Sequence, residues 1–124
     1  MAKILVADDE EDVGIIVAER LRDGGHQVEW VPDGTTALAK IEEGGFDLAI
    51  LDIRMPGADG YVVCASIKNS PKWGKIPVLL MSAFEKEQKN WQKSKADAFL
   101  AKPFETNRLV GAVEKLLRLN GAKS

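Results

Sequence analysis

Leu48-Ala49-Ile50-Leu51-Asp52-Ile53-Arg54-Met55-Pro56-Gly57-Ala58-Asp59-Gly60 runs from four apolar residues straight into an acid. A short continuous apolar run fits a strand buried on both faces, and Asp52, its first ionisable residue, then stands at the strand's carboxyl end. Pro56, Gly57, Asp59 and Gly60 punctuate a tight loop, which turns the chain away and leaves that carboxylate accessible.

Outward from this stretch, comparable runs occur at residues 4–7, 28–31, 78–81 and 98–101, apolar but for Glu29. The segments between them are long enough for helices. Val13, Ile16, Val17 and Leu21 recur at helical spacing before Gly24 and Gly25. Asp33 can cap a second helix that holds Ala37, Leu38 and Ile41 and closes at Gly44 and Gly45. A third helix is expected over about residues 59–69. The fifth carries the stripe Leu109, Val110, Val113, Leu116 and Leu117, with Asn120 and Gly121 expected to stop it. The fourth, over residues 85–95, reads EKEQKNWQKSK, where only Phe84 and Trp91 offer an apolar face. It is predicted to be the least stable helix. Strands alternating with helices call for a parallel sheet covered on both faces and joined by right-handed crossovers. Such sheets bind ligands at the carboxyl ends of their strands.

The 124 residues, 45% of them hydrophobic, suit one domain over residues 1–124 with a single core. A formal net charge of −2 implies no general attraction to nucleic acid or to an anionic membrane. Cys64 is alone and cannot form an internal disulfide, and no signal-peptide run opens the chain, so a cytoplasmic location is expected. Cys64 reads as a small buried hydrophobe, and His26 lies in a Gly-rich turn; neither is assigned a role. Met1 and the polar end at residues 120–124 suit a complete, stand-alone chain and equally one cut from a longer protein.

Following each strand outward brings Asp8 and Asp9, Asp52, Ser82 and Lys102 to one edge. Glu10, Glu11 and Asp12 are read as charges that favour the positive end of the first helix. Asp8 and Asp9 precede that helix and face Asp52, where mutual repulsion calls for a cation. Asp8, Asp9, Asp52 and Lys102 sum to −2, which one divalent ion neutralises. Oxygen-only ligands favour Mg²⁺. A hard cation opposite Lys102 and Ser82 makes room for an anion, and a phosphoryl group in transfer fits, with Asp52 as nucleophile.

With these residues in order, the chain resembles the CheY-like receiver domain of two-component response regulators. Asp8-Asp9, Asp52-x-x-Met55-Pro56 with Asp59-Gly60, Ser82-Ala83 and Lys102-Pro103-Phe104 carry the likeness, which covers essentially the whole chain. The resemblance implies a single doubly wound (βα)5, flavodoxin-like domain with strand order 2-1-3-4-5. It implies that Asp52 accepts phosphate from a histidine kinase or phosphotransfer protein, in a phosphorelay switch rather than a metabolic enzyme. Asp9, Asp52 and the backbone carbonyl of Arg54 would bind Mg²⁺, with Asp8 acting through water. Lys102 would contact the phosphoryl oxygen through a segment with a cis bond to Pro103. Ser82 would swing toward the phosphoryl group, and Phe99 would rotate inward. The signal would leave through the fourth helix, fifth strand and fifth helix, to an effector protein or a second copy in a phosphorylation-dependent dimer, with no nucleic acid or membrane partner. Phe99 replaces a common Tyr, and Lys95 a common helix-ending Gly, which draws attention to the fourth helix.

Three other readings share parts of the pattern. A phosphatase of the haloacid dehalogenase type wants a second acid where Arg54 stands. A flavodoxin-like cofactor binder wants a phosphate-friendly first loop, which the DDEED run at residues 8–12 opposes. A receiver-like module that never meets phosphate would not need all five site residues.

Overall fold

The computed structural model describes residues 2–121, with side chains through Leu119. Strands β1 (Lys3–Ala7), β2 (Gln27–Val31), β3 (Leu48–Asp52), β4 (Val78–Ser82) and β5 (Ala98–Ala101) form one parallel sheet in the order β2-β1-β3-β4-β5. They alternate with α1 (Glu11–Asp23), α2 (Gly34–Glu43), α3 (Gly60–Lys68), α4 (Glu85–Asn90) and α5 (Thr106–Gly121).

Every residue of β3 and β4 is buried, which is why their sequences read as unbroken apolar runs. Alternate side chains serve two cores. Leu48, Ile50, Leu79 and Met81 pack with Val17 and Leu21 of α1 and Leu109 and Val113 of α5. Ala49, Leu51 and Leu80 pack on the other face with Ala37 and Ile41 of α2 and Val63 and Ile67 of α3.

Helix starts follow the sequence signals at two places. Asp33 accepts a hydrogen bond from the Thr36 amide at 2.6 Å, and Asp59 accepts one from the Val62 amide at 2.9 Å. The close of α1 combines Gly24 at its end with Gly25 at φ 92°. Two helix ends differ from expectation. α4 stops at Asn90 and is followed by a 3₁₀ turn, Trp91–Lys93, instead of continuing to residue 95. Asn120 and Gly121, expected to stop α5, lie within it.

The face of α4 is also not the one its apolar residues suggested. Phe84 is 50% exposed, whereas Glu87 is buried. Trp91 does pack inward, its ring stacked on Phe99 with centroids 5.9 Å apart and an interplanar angle of 13°.

Candidate functional site

The register builds the site. Ala7 pairs with Leu51 in the sheet, so the next residues, Asp8 and Asp52, stand level on neighbouring strands. Ser82 pairs with Ala101, so Lys102 emerges one step beyond. Asp52 and Ser82 are the last residues of their strands rather than the first residues after them.

Burial is complete for Asp8 and Ser82 and nearly so for Asp52, at 4% exposure. Lys102 Nζ donates to Asp8 Oδ2 at 2.9 Å, to Glu10 Oε1 at 2.9 Å and to Asp52 Oδ2 at 3.1 Å. The second Asp8 oxygen accepts the Glu10 amide at 2.9 Å, and the second Asp52 oxygen accepts the Arg54 amide at 3.3 Å. Ser82 Oγ accepts the Phe84 amide at 3.0 Å, which orients the hydroxyl at the mouth of β4. The Lys102–Pro103 peptide bond is cis.

Of these residues, Glu10, Asp52, Arg54, Phe84 and Lys102 open, with Asp9 and Ala83, into a cavity of about 200 Å³. Burial pushes the Asp52 carboxyl up to about 6; Lys102 pulls it down, and the neighbouring Asp8 carboxylate pushes it up. Burial alone would lower Lys102, but its hydrogen bonds to Asp8 and Glu10 and the charges of Asp52 and Asp8 raise it well above the ordinary lysine value. The ammonium is therefore held charged.

Glu10 is a site residue that the sequence reading assigned to the helix end. It is the residue before α1, yet its side chain makes no capping bond there and reaches Lys102 instead. Oxygens of Asp8, Glu10 and Asp52 lie within 4.8 Å of one another, a cluster suited to holding a metal ion. Asp9 is exposed and sits on the cavity wall. Phe99 stands farther along β5, among partly buried side chains on the α3 side of the sheet.

Residues 4–114 match the family described as Response regulator receiver domain. The chain belongs to that family. Its receiver sequence is 32% identical over 116 residues to the transcriptional regulatory protein TcrA of Mycobacterium tuberculosis, covering 94% of this chain and 46% of TcrA. It spans about half the length of the curated relatives TcrA and IrlR, the latter from Burkholderia pseudomallei, 52% of which is covered. The receiver fold superposes on the chemotaxis response regulator CheY4 of Vibrio cholerae with a TM-score of 0.87 at 29% identity, covering 94% of this chain and 98% of that one. It superposes on the response regulator TrrA of Thermotoga maritima, solved in complex with Mg(2+)-BeF, with a TM-score of 0.85 at 33% identity over 94% and 99% of the two chains. Among the described residues of this receiver domain, no helix is long and apolar enough to cross a membrane.

Proposed function

We propose that this receiver domain is a phosphoacceptor whose nucleophile is Asp52. The observation that carries the reading is the grouping of Asp8, Glu10 and Asp52 around Lys102 at the carboxyl edge of the sheet. An Asp52 oxygen attacks phosphorus in line, the bond to the donor's nitrogen or oxygen breaks, and the leaving group takes the electron pair. The product is an acyl phosphate on Asp52. Lys102, already charged, neutralises one equatorial oxygen, and the Ser82 hydroxyl would swing toward another and donate to it. Attack by water at phosphorus returns the carboxylate slowly.

Mg²⁺ is the metal proposed for the acidic cluster. Asp52 and the wall residue Asp9, with the Arg54 carbonyl, would hold it and Asp8 would act through water, in keeping with its preference for one or two carboxylates and several waters. When bound it supplies positive charge against the transferring phosphoryl group.

The proposed donor is a phosphohistidine on a kinase or phosphotransfer protein. Beside the site, Val13, Ile16 and Val17 of α1 with Pro103 and Phe104 line an apolar groove that also reaches Glu10 and Lys102. A helix carrying the phosphohistidine, seated there, would present it to Asp52. The proposed read-out is the face made by α4, β5 and α5, where Phe99 meets Trp91.

Mg²⁺-dependent labelling by acetyl phosphate tests the assignment. Asp52→Asn abolishes the label, and undiminished labelling of that variant overturns the reading. The signalling role, as opposed to a phosphatase, predicts one label per chain and no sustained turnover of phosphate esters.

A further inference from the structure

The only buried side chain of α4 is an acid. Glu87, 6% exposed, accepts a hydrogen bond from the Tyr61 hydroxyl of α3 at 3.1 Å. Its other oxygen lies 4.0 Å from the guanidinium of Arg54, the cation paired with it among the described residues. Burial and the Glu87 carboxylate push Tyr61 up to about 12, so its hydroxyl stays a donor. Arg54 also lies over the Phe84 ring, 4.5 Å from its centroid, and Phe84 immediately precedes α4.

Arg54 and Phe84 line the cavity that holds Asp52 and Lys102. The guanidinium is half exposed, at 49%, so it has room to turn between two places where negative charge collects. One is Glu87. The other is Asp52 once it carries phosphate.

Resting on the phosphoacceptor reading, we infer that Arg54 exchanges between Glu87 and the phosphoryl group, and that Glu87 is the latch through which α4 senses phosphorylation. An ion pair at 4.0 Å with a half-exposed partner is weak. A phosphoryl group brings about 1.5 to 2 negative charges and three acceptor oxygens, which suit a planar guanidinium better. When Arg54 turns toward it, Glu87 keeps Tyr61 but loses its countercharge in a buried place. A buried carboxylate without a cation favours water. α4 has no other buried side chain to hold it, so Glu87 draws the helix outward. Trp91, next in the chain after α4 and stacked on Phe99, carries that movement to β5.

Titration with beryllofluoride in excess Mg²⁺, followed by fluorine NMR, tests the exchange. Saturable binding by the parent chain tests the phosphoacceptor reading itself; the latch is tested by the change between backgrounds. Glu87→Gln keeps an acceptor for Tyr61 and removes the charge that competes for Arg54. It is expected to lower the half-saturating beryllofluoride concentration about threefold, the scale of a partly exposed ion pair, and the effect disappears when Arg54→Met is also present. An equal shift in both backgrounds, or no shift in a folded Glu87→Gln, overturns the inference. A second measurement does not depend on the Glu87 variant. Arg54→Met alone should expose the amides of Glu85–Asn90 to hydrogen exchange as fast as in the beryllofluoride-bound parent chain, and undiminished protection in that variant overturns the latch.

Discussion

Lys102 answers three carboxylates with one ammonium, and its side chain is only 8% exposed. Removing it leaves Asp8 and Asp52 buried and facing each other. Lys102→Met is therefore expected to cost about 3 kcal/mol in urea denaturation at neutral pH, with part of the loss recovered by Mg²⁺. Asp52 behaves in the opposite way. Its folded value, pushed up to about 6 from the ordinary 3.8, means that ionising it costs the folded state free energy. That cost is absent below pH 3.8, grows between 3.8 and 6, and is fully present above 6. Asp52→Asn should accordingly raise the melting temperature by about 3 °C at neutral pH, and by less near pH 4.5. A gain that persists unchanged in acid would show that the charge is not its source. Glu10 shows what a residue-level reading of sequence lacks. Next to a helix start it looks like a dipole charge, and the lysine that claims it is 92 positions away.

At the scale of elements, β1, β3 and β4 were legible because burial on both faces leaves no polar alternation to obscure them. The caps Asp33 and Asp59 were legible because capping is a local contact. The face of α4 was not. EKEQKNWQKSK reads as solvated surface, and nothing within it marks Glu87 as inward; that depends on Tyr61, 26 positions earlier. α3 illustrates a tighter constraint. A Cβ on Gly60 would lie 2.5 Å from the Asp52 carbonyl oxygen and 2.8 Å from the Ile53 Cα. Gly60→Ala is expected to destabilise the fold by about 2 kcal/mol, because backbone must shift on the strand that carries Asp52. Denaturation measures the loss, and labelling by acetyl phosphate should slow with it.

For the whole molecule, the site joins β1, β3, β4 and β5, so anything bound there is bound only by the folded chain. Mg²⁺ with beryllofluoride at about a hundred times its dissociation constant should add about 2.7 kcal/mol of stability, read as a higher melting temperature. Asp52→Asn should show none of that increment. The fold class and the meeting of Asp8, Asp52 and Lys102 could be anticipated from sequence, since a parallel sheet dictates where strand ends converge. Which charges compensate one another there could not, because that depends on side-chain reach across neighbouring strands.

One further property follows from how the loop after β3 is seated. Gly34 opens α2 so close beneath Ala58 that a Cβ would fall 1.7 Å from the Ala58 carbonyl oxygen, and the Gly34 amide donates to Pro56 at 3.2 Å. Together with Gly60 against Asp52, this leaves no room for a side chain where the loop meets α2 and β3. The loop after β3 is thus bounded by two glycines that no larger residue can replace without moving backbone.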